Sequence, residues 1–599
     1  MKFPAALNPL RFAGPLIILL AAALATAPQI RQGVSCGHDF DFHLVSWLDT
    51  LHSWQHGILY PHWAPSANFG AGEPRFIFYP PLTWMLGAAL GLCLPWKAVP
   101  GAFMFLLLAA AGLATRALAR FLLNEAPSTL AGCMAIFSGY TLFTAYERSA
   151  FGELTGGFWI PLLLLLILRD RHASGSLLQR AFDGSAALLA LVVAGVWLSD
   201  VPLGVMASYL LAAFALLVAL LHRTWAPVLR AAVAFSLGLG IAALFLVPAI
   251  AEQGWVAVRE ATTEPGMLIE NSWLFGRHAD PLLQLHDVEL LKVSFIAVSM
   301  ISIALAAFVV AWQRGGVTHR RSAWLALALI PIAVLLLLLP ISLPLWNALP
   351  KLRFLQFPWR WLVAVEAPLG IFFAAAVWTL TRHARALALL ACAASALLIA
   401  AAMASGLFFY QFCDDEDSVK GMLAAYRADA GFEGEDEYAP PWADKSLLPM
   451  GLPAACLATS PNTPLGQGDT GLAPNWDPSQ ASCDATFAWS GTPGATSPLH
   501  LRLNADSPHP GYLILRLRSY PAWRIRVNGQ TIRSLPQRKD GLIAVPVPQG
   551  QITLAADWMT TGDIIVGRWL SLLALGLLAA LALLERRYSR VIYHEADAH

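Results

Sequence analysis

Charge is what this chain of 599 residues has least of. Asp, Glu, Lys and Arg make up only 13% of it, about half the roughly 25% usual in soluble domains. So few charges cannot coat a water-soluble surface of this size. The 39 basic and 38 acidic residues nearly cancel, leaving a formal net charge of +1. That balance excludes recognition of nucleic acid by bulk electrostatics. A small-residue cleavage signal is missing before Arg31, so the first apolar run, Phe12 to Pro28, reads as a retained span. No HExxH motif occurs, and no internal repeat is evident.

What the chain has in excess is apolar sequence, 57% of its residues. It falls into blocks of about 16 to 25 residues, the length of helix that crosses a roughly 30 Å hydrocarbon core. A polytopic α-helical membrane protein is expected. Its spans lie near 12–28, 98–118, 128–146, 154–169, 185–199, 201–221, 228–251, 291–312, 322–341, 361–380, 386–410 and 564–583. Basic residues cluster at Lys2/Arg11, Arg116/Arg120, Arg169/Arg171/Arg180, Arg223/Arg230, Arg314/Arg320/Arg321, Arg382/Arg385 and Arg586/Arg587/Arg590. All can face the cytoplasm together if the run Leu82 to Trp96 does not cross. That run follows Pro80-Pro81 and holds two Gly, which suits a re-entrant or interfacial segment. About twelve crossings result, with both ends inside.

The long connections then all lie outside, at 29–97, 147–153, 252–290, 342–360 and 411–562. Residues 1–410 form the transmembrane domain, with 29–97 as its first outer loop. Residues 411–562 form a separate extracytoplasmic domain, and 563–599 the last span and a cytoplasmic tail. The outer domain opens acidic and Pro/Gly/Ser-rich, and from about residue 498 alternating runs such as GYLILRLR and WRIRVNG predict a small β-sandwich. Cys36, Cys413, Cys456 and Cys483 would lie in the oxidising compartment, with Cys456–Cys483 the favoured pair, although sequence does not fix connectivity.

Against this apolar background stands a polar loop right after the first span, Cys36-Gly37-His38-Asp39-Phe40-Asp41-Phe42-His43. Two carboxylates and two imidazoles at the mouth of a membrane protein point to binding or chemistry. Beyond it Phe42, Val45, Leu48 and Leu51 share one helical face while Asp49, His52, Ser53 and His56 share another, so a helix lying on the membrane surface is expected. Asp39 and Asp41 therefore also read as caps of that helix. Five histidines, at 38, 43, 52, 56 and 62, raise a zinc reading, and His52/His56 have i, i+4 ligand spacing. Solvated imidazoles are the simpler account. Asp200, beside Pro202, reads as a span-end residue. Trp47, Trp54, Trp63 and Trp84 are candidates to stack on a sugar.

Three further stretches carry a resemblance. Gly57-Ile58-Leu59-Tyr60-Pro61-His62-Trp63, then Gly70 through Leu82 (GAGEPRFIFYPPL), and Gln356-Phe357-Pro358-Trp359-Arg360 resemble bacterial membrane proteins of the 6-pyruvoyl-tetrahydropterin-synthase-related, YfhO-like group. These are similar in layout to GT-C-type glycosyltransferases. Tyr520-Pro521-Ala522-Trp523 and Val527-Asn528-Gly529 resemble the group's C-terminal domain. The name implies no pterin chemistry, which in the soluble enzymes relies on a histidine-held zinc. What the resemblance implies is a transferase in the bacterial inner membrane, its active site facing outward. It would take a sugar from a polyprenyl-phosphate donor and pass it to a glycan or glycolipid acceptor.

In such enzymes a first-loop Asp is the base, a position Asp39 matches, with Asp41 the fallback. Arg360 becomes the leading donor-phosphate ligand, with Arg75 and Arg148 behind it. Glu147 and Glu153 become candidates for a second carboxylate serving the acceptor or a divalent cation, and His38 and His43 supporting residues. No resident metal is assigned. Simple alternatives stay open: Arg360 as a headgroup anchor, and Glu147 with Arg148 as a mere surface pair. So does a non-enzymatic protein, either a transporter of lipid-linked glycans or an envelope assembly partner. A transporter would show charged or broken helices at the bilayer midplane.

Overall fold

The structure, a computed structural model, describes residues 10–169, 176–379 apart from 183 and 318, 399, 402–404, 406–407, 414–465, 476, 482–486, 489–490 and 497–596. Among these, eight helices are long and apolar enough to cross a membrane, or ten if two bent pairs each count as one span. The pairs are Ala226–Ile241 with Ala243–Ala251, bent by 71°, and Arg321–Leu337 with Pro340–Ala348, bent by 92°. Pro340 explains the second bend, because a proline pushes its predecessor out of the helical region, and Leu339 is extended (φ −109°, ψ 149°).

The count differs from the expected twelve at two places. Ala186–Ser199 has 14 residues, about 21 Å of helix, short of the hydrocarbon thickness. The expected span at 386–410 lies mostly outside the described residues. Pro81–Cys93 is a helix of 13 residues, too short to cross.

The connections between helices gather into two sets. At one end Arg320 lies over the Phe121 ring, His222 Nε2 meets Ser322 Oγ at 2.8 Å, and Arg230 donates to the carbonyls of Leu166, Arg169, Arg180 and Ala181. These are the basic connections that the charge rule placed together. At the other end the Gln356 amide donates to Ala261 O at 2.7 Å, and Ala257 N–H to Ala439 O at 2.9 Å. That end carries the strand-rich segment.

Among the described residues eight strands form two antiparallel sheets in the C-terminal part of the chain. One joins β1 (Ala455–Ala458), β4 (Gly511–Arg518) and β7 (Leu542–Val547) in the order β1-β4-β7. The other orders β2 (Trp489–Ser490), β3 (His500–Ser507), β8 (Gly550–Trp558), β5 (Trp523–Val527) and β6 (Gln530–Thr531) as β2-β3-β8-β5-β6. Leu513, Leu515, Ile543 and Val545 of the first sheet share one core with Leu503, Ile525, Ile552 and Leu554 of the second. The two sheets therefore face each other. Asn528 and Gly529 both have positive φ (50° and 80°), as the tight β5–β6 turn requires. Cys456 is disulfide-bonded to Cys483, and Cys36 is also in a disulfide.

The long loop after the first span, residues 33–80, is clamped under these sheets, which changes two sequence readings. Helix Phe40–Gln55 does not lie open on a surface. Asp49 is fully buried and takes hydrogen bonds from Ser66 Oγ at 2.7 Å and Tyr426 OH at 3.0 Å. A helix periodic enough to float on lipid is here covered on its polar face by the segment Val419–Arg427. Trp47, Trp63 and Trp84 are likewise buried to 2% exposure or less, Trp63 among Tyr520, Trp523 and Trp558. They are packing groups with no face left for a sugar.

Candidate active site

The segment from Ser138 to Ser149 makes the floor of the site. Helix Glu125–Ile136 stops, Ser138 caps a new turn by accepting the Thr141 N–H at 3.1 Å, and Thr144–Arg148 forms a π-helical turn. Ser149 ends it in the left-handed region (φ 50°). Such wide turns aim side chains that a regular helix would direct elsewhere. The polar loop docks on this turn: Asp39 N–H donates to Arg148 O at 3.0 Å, and Ser35 Oγ meets Ser149 Oγ at 3.1 Å.

Gly37 makes the contact possible. A Cβ on it would stand 2.6 Å from Arg148 C and Ser149 N, both backbone atoms that cannot swing aside. Gly37→Ala is therefore expected to lift the loop and lose most of the site's activity. The protein should still fold, as checked by size-exclusion profile and thermal midpoint beside a transfer assay.

Asp39 sits at the N-cap position of helix Phe40–Gln55, yet its side chain makes no capping bond. Its carboxylate instead faces Arg148 Nη2 at 3.9 Å and remains 38% exposed. Asp41, by contrast, accepts the Phe42 N–H at 2.8 Å within the first turn. Of the two, only Asp39 comes within 4 Å of a cationic nitrogen among the described residues.

Glu153 holds the two arginines in place. Arg148 Nη1 donates to Glu153 Oε2 at 2.6 Å, Arg360 Nε to the same oxygen at 3.2 Å, and Tyr140 OH to Oε1. Arg360 Nη1 is engaged by Leu355 O and Gln356 Oε1 at 3.1 and 3.0 Å. Among the described residues neither Arg148 Nη2 nor Arg360 Nη2 is engaged in a hydrogen bond. Both guanidiniums also lie over the Phe357 ring, at 5.6 and 5.3 Å.

Four of the sequence candidates thus converge: Asp39, Arg148, Glu153 and Arg360. Glu153 is 5% exposed, an anchor for arginines and closed to an acceptor. Glu147 pairs with Lys292 at 2.7 Å, and His38 stands exposed 3.9 Å from Glu289. Arg75 is not brought to the cluster. It is 1% exposed, bound to Glu73 Oε1 at 2.7 Å and to Ser46 Oγ at 3.0 Å, and tucked over the Phe42 ring, so no face remains for a phosphate.

Sequence reasoning missed three residues here. Glu289 lies 3.8 Å from Arg148 Nε, and Lys292 pairs with Glu147. Both belong to a helix that begins at Gln284, well before its apolar part. Their i, i+3 spacing at the head of a span was the available signal. Asp200 is the third. Its Oδ1 caps the next helix through Leu203 N–H at 2.7 Å. Burial, only partly offset by the field of Arg360, pushes its pKa up to about 6.

His43 is buried, and its Nε2 accepts the Phe151 N–H at 3.2 Å, which requires a neutral ring. Desolvation lowers its pKa to about 4. The unfolded chain therefore binds a proton there below about 6.5 while the folded chain does not. This contribution to stability is complete above that pH and is lost as pH falls towards 4. Replacing His43 with Gln should flatten the decline of the unfolding midpoint across that window. The His52 and His56 rings lie tilted against each other by 59°, their centroids 4.5 Å apart. Among the described residues no three His, Cys, Asp or Glu side chains stand together as a metal-binding group.

Residues 76–408 match the family model of the 6-pyruvoyl-tetrahydropterin synthase related domain, described as a membrane protein. The match covers more than half of the chain, and the chain belongs to that family of membrane proteins. No curated protein matches the sequence. Among solved structures it is similar to the Archaeoglobus fulgidus oligosaccharyltransferase in its apo form, with TM-score 0.41 and 13% identity over 72% of this chain and 61% of that one. The same enzyme tethered by a disulfide to an acceptor peptide containing the NVT sequon gives TM-score 0.40 and 14% identity, over 72% and 60%. The chain spans about three-fifths of the length of those structures.

Proposed function

We propose that the protein is an inverting glycosyltransferase of GT-C type. It would move a sugar from a polyprenyl-phosphate donor to a glycan or glycolipid acceptor at the outer face of the bacterial inner membrane. One observation carries the reading: Asp39, free of any capping role, faces the Arg148 guanidinium at 3.9 Å, and Arg360 is anchored beside Arg148 on the same Glu153 oxygen. The base and the phosphate ligands of one displacement thus stand side by side. Asp39 takes the proton of the acceptor hydroxyl as its oxygen attacks the anomeric carbon. The bond from that carbon to the phosphate oxygen breaks, and its electron pair leaves with the phosphate. Arg360 and Arg148 stabilise the leaving charge at a low-dielectric interface.

A second reading has support of its own. Two bent spans and the carboxylate Glu366 inside the span Pro358–Trp378 are features expected of a transporter. The readings part in one experiment. Purified protein in vesicles, given a radiolabelled polyprenyl-phosphate sugar and envelope glycolipid, should form a new covalent product on the side that carries the outer domain. Movement of intact donor across the bilayer with no product would replace the transferase with the transporter.

A further inference from the structure

Glu366 is 4% exposed, and among the described residues it has no ion-pair partner. Its Oε1 is approached by Thr141 Oγ1 at 2.7 Å and Ser138 Oγ at 3.2 Å, both hydroxyls of the interrupted span. Beside it lies a cavity of about 10 Å³, measured for the centre of a water-sized sphere, which is room for about one molecule. Tyr140, Thr141, Thr144, Glu153, Gly157 and Glu366 line it. A Cβ on Gly157 would stand 2.9 Å from Ala111 Cβ and 3.4 Å from Glu366 Oε2, so glycine lets this span pack closely beside the cavity. Thr144, which borders the cavity, is 2% exposed, and its hydroxyl has no hydrogen-bond partner among the described residues. A buried hydroxyl left unpaired beside a water-sized hole is the signature of a bound polar molecule.

The two carboxylates on this cavity have different partners. Glu153 is held as an anion by Arg148, Arg360 and the Tyr140 hydroxyl. Glu366 has no such cation among the described residues, and a buried carboxylate without one is costly as an anion and keeps its proton.

We propose that Glu366 is a proton-binding site within the membrane, linked by a single bound water to Thr144 and to the Glu153 anchor. The protonated carboxyl and the water together satisfy the Thr144 hydroxyl. The groups facing Glu366 are Ser138, Thr141, Tyr140 and, across the cavity, Glu153. A proton is thus stored across the cavity from the carboxylate that anchors the two guanidiniums. This inference concerns binding and does not depend on the transferase reading.

Infrared difference spectroscopy of the full chain in lipid vesicles tests it. At neutral pH the carbonyl stretch of a protonated carboxylic acid should be present, and Glu366→Gln should remove it. Thr144→Val, nearly isosteric and the safer variant for folding, should keep the band but move it to higher frequency as the water's hydrogen bond is lost. No protonated band lost in Glu366→Gln would overturn the proton site, as would a band abolished by sodium chloride but not by choline chloride, which would mark a cation site instead. A band unmoved in Thr144→Val would overturn the water link. Should Glu366→Gln fail to fold, a band shifted in Thr144→Val still places the proton on the carboxyl beside Thr144, and a protein without any protonated band, or with one unmoved in Thr144→Val, overturns the proposal.

Discussion

Asp39→Asn is expected to lower sugar transfer by about 10²- to 10⁴-fold, the range general-base catalysis supplies, without unfolding the protein or weakening donor binding. The substitution keeps the volume and the backbone bond from Asp39 N–H to Arg148 O. It removes only the proton acceptor. Because the side chain makes no capping bond to helix Phe40–Gln55, no loss of helix stability accompanies the change. That separates the variant from a structural lesion: an N-cap deletion would cost about 1 kcal/mol of stability, whereas here the unfolding midpoint should hold while turnover collapses. Full activity in Asp39→Asn would remove it as the base. Asp41→Asn should behave differently, with a small effect, since its carboxylate is occupied by the Phe42 N–H.

The largest effect on stability is expected at Glu153. Replacing it with Ala leaves Arg148 and Arg360 buried side by side with no shared anion, and the Tyr140 hydroxyl without its acceptor. Removing one partner of a buried ion pair costs about 3–5 kcal/mol, because the desolvation of the remaining charge is no longer offset. Denaturant unfolding in detergent should show a loss of that order, and Glu153→Gln a smaller one. A change within about 0.5 kcal/mol, the scatter of ordinary surface substitutions, would contradict the anchor role. Arg360→Ala should act mainly on the donor, raising its apparent KM, because Arg148 still holds Glu153 in place.

How much of this was legible in the sequence depended on range. The spans, the Asn528-Gly529 turn and the alternating strands are local patterns, and the chain states them directly. The site was legible where charge was scarce: Asp39, Arg148, Glu153 and Arg360 stand out because their neighbours are apolar. Burial by a distant segment was not legible. Asp49 and Trp63 look like surface residues until Tyr426, Tyr520 and Trp558 arrive from hundreds of residues away. Arg75 looked like a free cation because its partner Glu73, two residues back, could have pointed either way. Glu366 was hidden for the opposite reason. One carboxylate hardly changes the hydropathy of its span, and its meaning comes only from the hydroxyls of Ser138 and Thr141 and from the cavity they border.

The central claim is that base and phosphate ligands share one site, and a structure of the Asp39→Asn protein with bound polyprenyl-phosphate sugar tests it most directly. The phosphate is expected against Nη2 of Arg360 and Arg148, with residue 39 facing the anomeric carbon from the side opposite the phosphate. Donor bound with its phosphate elsewhere, and those two guanidiniums still closed on Glu153 alone, would contradict the account.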